Sequence, residues 1–505
     1  MAKTKYNSFG MFAAKRRAKL KAEREEAEMK KPAKQTNVKT KKIAPNLDWN
    51  SMANKKIKMP KYPINWNDPS TDTHSSNLLN ALSSEKFKLL SMPTGTGKTA
   101  VTIETIGKLQ IKLGKKIPFV VTAPTKVVQG LGWHNTIKSW NENNPNNILE
   151  PVLITSIDKF RAACEHLPTC GKIMRALGTD GLIILDEVQK YKNPTGKRAK
   201  QLQKFKDYKK IGLSATPLTN DIVMDSASYL IIGDYYKNKT QFMQISGLLE
   251  WMGQFNQLMI YNADGSVNKA KWPYYDKLLS EWANVLYKPD INIKDLDMPE
   301  ITKHIIQLPF DDQLNADMRS LNNAYKKRMF DSFSDYFMEY VERVHNDIKR
   351  KEILKKILSD KNIKQPLIFY QNVIVKEIII NILDELNMPY QSVAGDSSFS
   401  DVDLESNHPI LVQYQSGSEG IEMKNSNTTI FFQNQTSYDR LKQARGRNVR
   451  RGMKNDDGTD VLINQYYIIA DDPLDQELFN RVTNREEISE QMLQDIVENI
   501  IKGKV

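Results

Sequence analysis

Four strings in this chain carry side chains whose types and spacing could do chemistry together. The first is M-P-T-G-T-G-K-T at 92–99, entered by an apolar run, Phe87 to Met92, and left by a helical pattern, Ala100 to Leu109. A glycine-rich turn between strand and helix points backbone N–H groups and the positive helix end at an anion. Thr94, Gly95, Thr96, Gly97, Lys98 and Thr99 therefore read as a cradle for a phosphate chain. Lys98 would neutralise the β- and γ-phosphates, and the Thr99 hydroxyl would hold Mg²⁺.

The second string is G-L-I-I-L-D-E-V-Q at 181–189, an apolar strand ending in two carboxylates. Ligands of parallel sheets bind at such strand tips. Asp186 would hold Mg²⁺, directly or through water, and Glu187 would polarise an attacking water. The third is Ser214-Ala215-Thr216, whose small hydroxyl residues can relay the state of a terminal phosphate; an ordinary strand-to-turn segment is the alternative. The fourth is Q-A-R-G-R-N-V-R, beginning at Gln443. Arg447 and Arg450 lie three apart, on one face if the segment is helical. A second domain can bring such arginines to a transition state that the first cannot surround alone; a solvated basic helix is the alternative.

The elements that must position these strings come in two series. Strand candidates 87–92, 117–123, 151–155, 181–185 and 210–213 alternate with helical patterns, and a second series occupies 366–370, 389–393, 410–414, 428–432 and 463–469. Short continuous Ile/Val/Leu runs are expected for parallel sheets buried on both faces. Residues 221–365 read mostly as helices, with Phe330 to Leu358 one long amphipathic stretch and Trp251, Trp272 and Trp282 filling a local core. The expected division is a basic tail at 1–62, a first α/β domain at 63–220, a helical insertion at 221–365, a second α/β domain at 366–480 and a C-terminal helix at 481–505.

Charge separates the tail from the rest. Residues 1–62 hold 18 Lys/Arg against 5 Asp/Glu, the whole net charge of +13, while residues 63–505 hold 55 of each sign. The tail reads as largely disordered, with one solvated helix over 13–31; a solubilising segment, a DNA tether, a basic targeting signal and a surface for protein partners all stay open. The N-terminus lacks a signal-peptide core, and no apolar stretch approaches the ~18 residues of a membrane span, so no membrane is expected. Two cysteines exclude a disulfide scaffold and point to a reducing, cytoplasmic setting, a bacterial or phage-infected cell being favoured by Lys, Asn and Ile richness, or a nucleus in a eukaryote. Cys164, His166 and Cys170 have a zinc-like spacing, but a zinc site needs about four ligands and no fourth is near.

In this order, M-P-T-G-T-G-K-T, D-E-V-Q, S-A-T and Q-A-R-G-R-N-V-R resemble motifs I, II, III and VI of superfamily 2 helicases, over roughly residues 80–470. D-E-V-Q-K-Y-K-N-P-T-G-K-R-A-K, V-V-T-A-P-T-K with W-H-N-T-I-K-S-W, I-T-S-I-D-K-F, P-L-I-F-Y-Q-N, S-G-S-E-G-I-E-M and Q-A-x-x-R-x-x-R-x-G are similar to segments of the Swi/Snf-like DNA translocases. The resemblance implies two RecA-like domains with ATP and Mg²⁺ in the cleft, Gln443, Gly420 and Glu422 adding to the nucleotide site. It implies a non-sequence-specific grip on DNA, duplex favoured, by Thr125, Lys126, Thr155, Ser156, Lys192 and Asn193 in the first domain, and by Gln371, Asn372 and Ser416 in the second. Single-stranded DNA or RNA as the substrate is one rival; a nucleic-acid-binding, virion-type protein with a degenerate motor is another. The sequence departs from the branch at four places. Met92 replaces a small residue, Gln189 a histidine, and Gln415 and Glu422 an arginine and an asparagine; the adenine-reading glutamine upstream of the loop is missing.

Overall fold

A computed structural model of the chain describes residues 64–502 except 219–221, 249–267, 269–271, 273, 292–297, 395–401, 404–405, 418–422, 424, 451, 456, 485 and 487. The basic segment 1–62 with its expected helix, Trp251, Gly420 and Glu422 lie outside the described residues.

Two six-stranded sheets, parallel at every pairing, carry the architecture. The first is built from β1 (Phe87–Ser91), β2 (Phe119–Ala123), β3 (Leu153–Ser156), β4 (Leu182–Asp186), β5 (Lys209–Ser214) and β6 (Leu286–Tyr287), in the order β3-β2-β4-β5-β1-β6. The second holds β7 (Glu300–Leu308), β8 (Leu367–Tyr370), β9 (Gln391–Val393), β10 (Ile410–Gln413), β11 (Thr428–Phe431) and β12 (Leu462–Ala470), in the order β7-β12-β11-β8-β10-β9. This is the expected α/β class with two parallel-sheet domains.

Alternation along each strand sends neighbours to opposite faces. In the first sheet Phe87, Leu89, Ile183 and Leu185 join one core cluster, with Tyr229 of helix Ile222–Ile232 and Trp282 of helix Tyr275–Val285. Leu90, Leu182 and Ile184 join the cluster on the other face, under α1 (Lys98–Leu113) and α2 (Gly132–Asn143). Burial on both faces is why these strands read as continuous apolar runs. Trp272 and Trp282 are core residues of the first sheet, as expected of a local aromatic core.

The stretch 221–365 is mostly helical, but sheet membership does not follow the expected divisions at 220 and 365. It supplies β6 to the first sheet and β7 to the second. Strand β7 escapes a search for apolar runs because it is an edge strand: Ile301 and Ile305 are exposed, and the residues alternate with polar ones. Nor is Phe330–Leu358 one helix. It divides into α3 (Phe333–His345) and α4 (Ile348–Leu358), because the Asp347 side chain caps the second helix through Arg350 N at 3.2 Å. Both helices pack into the second sheet's core. There the buried Arg350 guanidinium donates to Phe432 O at 2.7 Å and to Asp475 Oδ2 at 2.9 Å, tying α4 to the end of β11 and to helix Pro473–Thr483.

Candidate active site

Three adjacent strands, β4-β5-β1, bring the first three strings together at their C-terminal ends. Asp186 and Leu213 are in register, as are Ser91 and Ser214, so the Ser214 turn sits between the glycine loop and the carboxylates. Met92 N donates to Ser214 O at 3.3 Å, joining the loop to that turn. Met92 itself is a core residue, which is why a bulky side chain is accepted there.

Gly95 and Gly97 have φ of 83° and 95°, the left-handed region that glycine enters without strain. Gly97 caps α1 and, having no side chain, makes no capping bond to the first amides of that helix. Those amides are donors facing the cleft, suited to phosphate oxygens. The buried Thr96 hydroxyl ties the turn to Pro93 O at 2.8 Å. Lys98 Nζ donates to Met92 O and Pro93 O, each at 3.0 Å, so its ammonium lies over the loop. Burial pulls its pKa down to about 8; Glu187 and Asp186 oppose that shift, and the positive Arg450 and Lys442 add to it. Thr99 stands in the first turn of α1.

Asp186 ends β4. Its Oδ1 accepts from Glu187 N at 3.1 Å and its Oδ2 from Trp133 Nε1 at 3.0 Å. Burial, then the adjacent Glu187, push its pKa up to about 6, against the pull of the Trp133 N–H, Lys98 and the Glu187 amide. Glu187 is a non-glycine residue at φ 51°, a strained conformation costing of order 1 kcal/mol that turns the chain sharply after the strand. Its carboxylate is held by the Gln189 amide, so the position where the branch has histidine here touches Glu187 directly. Thr216 Oγ1 is buried and finds no hydrogen-bond partner among the described residues.

The fourth string comes from the second sheet. Gln443 is buried in α5 (Tyr438–Arg445), which follows β11. The helix ends at Arg445, so Arg447 and Arg450 lie in the turn beyond it and do not share a helical face as the spacing suggested. Both are nonetheless buried, and the turn meets the glycine loop: a Cβ added to Gly95 would fall 2.5 Å from Val449 O and 3.3 Å from Arg450 Nη1. A Cβ on Gly446 would fall 2.9 Å from Thr94 Cβ. Lys442 Nζ donates to Ala215 O at 3.1 Å, joining α5 to the Ser214–Thr216 turn. Lys98, Asp186, Glu187, Ser214–Thr216 and Arg450 thus form one constellation.

Hard oxygen donors, one carboxylate and one hydroxyl beside a phosphate cradle, suit Mg²⁺ held largely by substrate oxygens. Among the described residues no cluster of three or more His, Cys, Asp or Glu could hold a metal ion. Cys164 and Cys170 are buried, and His166 Nδ1 is hydrogen-bonded to Thr169 Oγ1 at 2.7 Å.

The residues expected to grip nucleic acid divide into two groups. Thr125, Thr155 and Ser156 stand where β2 and β3 end, Gln371 and Asn372 where β8 ends, and Ser416 in the short helix after β10. Ser156 caps the next helix through Lys159 N, and Lys126 Nζ reaches Ala394 O at 3.4 Å, beside the second sheet. The main-chain N–H groups of Gln371 and Asn372 both donate to Gln433 Oε1, at 2.7 and 3.0 Å. Lys192 and Asn193 are engaged locally instead: Lys192 is paired with the mostly buried Asp225 at 3.1 Å, and Asn193 Oδ1 closes a turn onto Thr195. Sequence reasoning missed Trp133, Lys442 and Gln433. The resembling W-H-N-T-I-K-S-W string held Trp133 in plain view, but nothing local marks its partner.

Two family models match the chain: the type III restriction enzyme res subunit over residues 71–219, and the helicase conserved C-terminal domain over 349–452. The first spans β1 to β5 of one sheet and the second β8 to β11 of the other. The chain belongs to the superfamily 2 helicases. This helicase is a nucleic-acid-dependent ATPase, and it uses a nucleotide. Among solved structures the chain is similar to a Sulfolobus solfataricus SWI2/SNF2 ATPase core in complex with dsDNA, at 17% identity over 88% of this chain and 95% of that chain, with a TM-score of 0.35. No curated protein matches the helicase significantly. Among its described residues no helix is long and apolar enough to cross a membrane.

Proposed function

We propose that the chain is an ATP-driven DNA translocase that moves along duplex DNA. One observation carries the coupling: the turn bearing Arg450 abuts Gly95 so closely that no Cβ would fit between them. A transition state over the loop would then be completed by Arg450, and by Arg447 three residues before it, only when the second sheet's domain is docked. Mg²⁺ held by Thr99 and Asp186 would draw charge from the phosphate oxygens. Glu187, released from Gln189, would orient and polarise the attacking water, and Lys98 would leave the carbonyls of Met92 and Pro93 for the β- and γ-phosphates. Gln443 would lie beside the nucleotide, with Gly420 and Glu422 of motif V.

Thr125, Lys126, Thr155 and Ser156 would grip the backbone from one domain, and Gln371, Asn372 and Ser416 from the other. Opening and closing would alternate the two grips. The preference for duplex rests on the Swi/Snf-like strings; the departures from them at Gln415 and Glu422 favour the second reading, a strand-separating helicase on single-stranded DNA or RNA. ATP turnover by the full chain, measured with blunt duplex, single-stranded DNA and RNA across a salt series, decides. Duplex should stimulate most, and the stimulation should fall with salt, because backbone contacts release counterions. Greater stimulation by single strands would establish the second reading; no response to any of them would refute the motor.

A further inference from the structure

Trp133 has an unusual partner. Of the described tryptophans, Trp140 and Trp272 give their indole N–H to main-chain carbonyls, Asn147 O and Ser246 O, and Trp66 gives its N–H to the Ser139 hydroxyl. Trp133 gives its N–H to a carboxylate oxygen of Asp186 at 3.0 Å, across 53 residues of sequence. Its ring is 1% exposed and lies in the same core cluster as Ile103 and Ile106 of the loop helix α1. An indole has one donor and cannot turn it without moving the packed ring. The bond therefore fixes the plane of the carboxylate, while Glu187 N holds the other oxygen at 3.1 Å.

We infer that Trp133 is a positioning residue for Mg²⁺·nucleotide: it orients the Asp186 carboxylate so that the remaining lone pairs of both oxygens face the cleft. This rests on the reading of Asp186 as the metal-facing carboxylate. Both α1 and the Trp133 ring pack on one face of the first sheet, so the same core sets the height of the loop and the angle of the carboxylate. Outer-shell hydrogen bonds of this kind change metal affinity by about 10–100-fold when removed.

The test uses the full chain with a non-hydrolysable ATP analogue and Mn²⁺ as the probe, binding being read by electron paramagnetic resonance. Trp133→Phe should weaken Mn²⁺ binding about 10-fold and raise the Mg²⁺ concentration for half-maximal ATPase equally, with kcat nearly restored at saturating Mg²⁺. Benzothienylalanine at position 133, which replaces the N–H by sulfur at nearly unchanged ring shape, should do the same and serves if the phenylalanine variant does not fold. Unchanged Mn²⁺ affinity in these variants, while Asp186→Asn loses it, would overturn the role of Trp133 and leave Asp186 intact. Unchanged affinity in Asp186→Asn would overturn the assignment of Asp186, and with it the inference.

Discussion

The two halves of the candidate site are held in place by different means. The first half, Lys98 with Asp186 and Glu187, is assembled by sheet register on adjacent strands, and its charged groups rest on partners from the same domain: the loop carbonyls, Trp133 and Gln189. The second half, Gly446 to Arg450, reaches the first by close approach, with a glycine on each side of the contact. Register is set during folding of one domain and does not change. Close approach can be made and lost. On the function proposed above, such a protein would keep its nucleotide cradle at all times and complete its chemistry only on docking.

The largest effects on turnover should come from the charged groups of both halves, and affinity should tell the halves apart. Arg450→Ala should lower kcat by about 10³-fold while nucleotide binding, followed by a fluorescent analogue, changes far less. Lys98→Ala should lose both turnover and affinity, and the double variant should be little worse than Lys98→Ala if the two act on one transition state. A loss of affinity in Arg450→Ala equal to that in Lys98→Ala would break the contrast between a standing cradle and a docking finger.

Gly446→Ala tests the close approach itself. The glycine is not in a left-handed conformation, so alanine should fold there, but its Cβ would press on Thr94 Cβ. We expect kcat lower by about 10–100-fold at an unchanged melting temperature. Full activity would show that the halves need not meet this closely. Lys442→Met should have a smaller effect, a several-fold loss of kcat or of nucleic-acid stimulation with unchanged KM, since it removes one hydrogen bond to Ala215 O worth about 1 kcal/mol.

The smallest effect is on stability and pH. Burial and Glu187 raise the Asp186 pKa to about 6 in the folded state, above its unfolded value of 3.8. Folding therefore favours the protonated acid, and the ionised carboxylate burdens the fold above about pH 6, less so as pH falls, and not at all below the unfolded value. Asp186→Asn should raise the thermal midpoint by about 2–4 °C at pH 7, with the gain vanishing toward pH 4, even as ATPase is abolished. A gain that grew on acidification would reverse this account of the first half.

Much of this architecture is legible in the order of residues alone. The strands of both series announce themselves because parallel strands buried on both faces leave continuous apolar runs, and the loop at 92–99 lies between a strand and a helix as its composition requires. Edge strand β7 is not legible in that way: with one edge open to solvent, Ile301 and Ile305 alternate with Lys303 and His304 and make no such run. The break between α3 and α4 is hidden because both faces of Asn346–Asp347 continue an amphipathic pattern, and only the capping bond of Asp347 marks the stop. Lys192 and Asn193 match a family string, yet the nearest acid and the local turn claim both side chains.

The sequence by itself determined which groups could act: a glycine turn ahead of Lys98 and Thr99, two carboxylates at a strand end, and arginines some 350 residues on. These are local patterns, set by backbone freedom and by the alternation of apolar residues. Only the tertiary structure decided that Trp133 holds Asp186, that Lys442 reaches Ala215, and that Gly95 lies against Val449. Each depends on the packing of a helix or a turn against a distant strand end. No spacing along the chain encodes such distances, because they are fixed by how whole cores fill space.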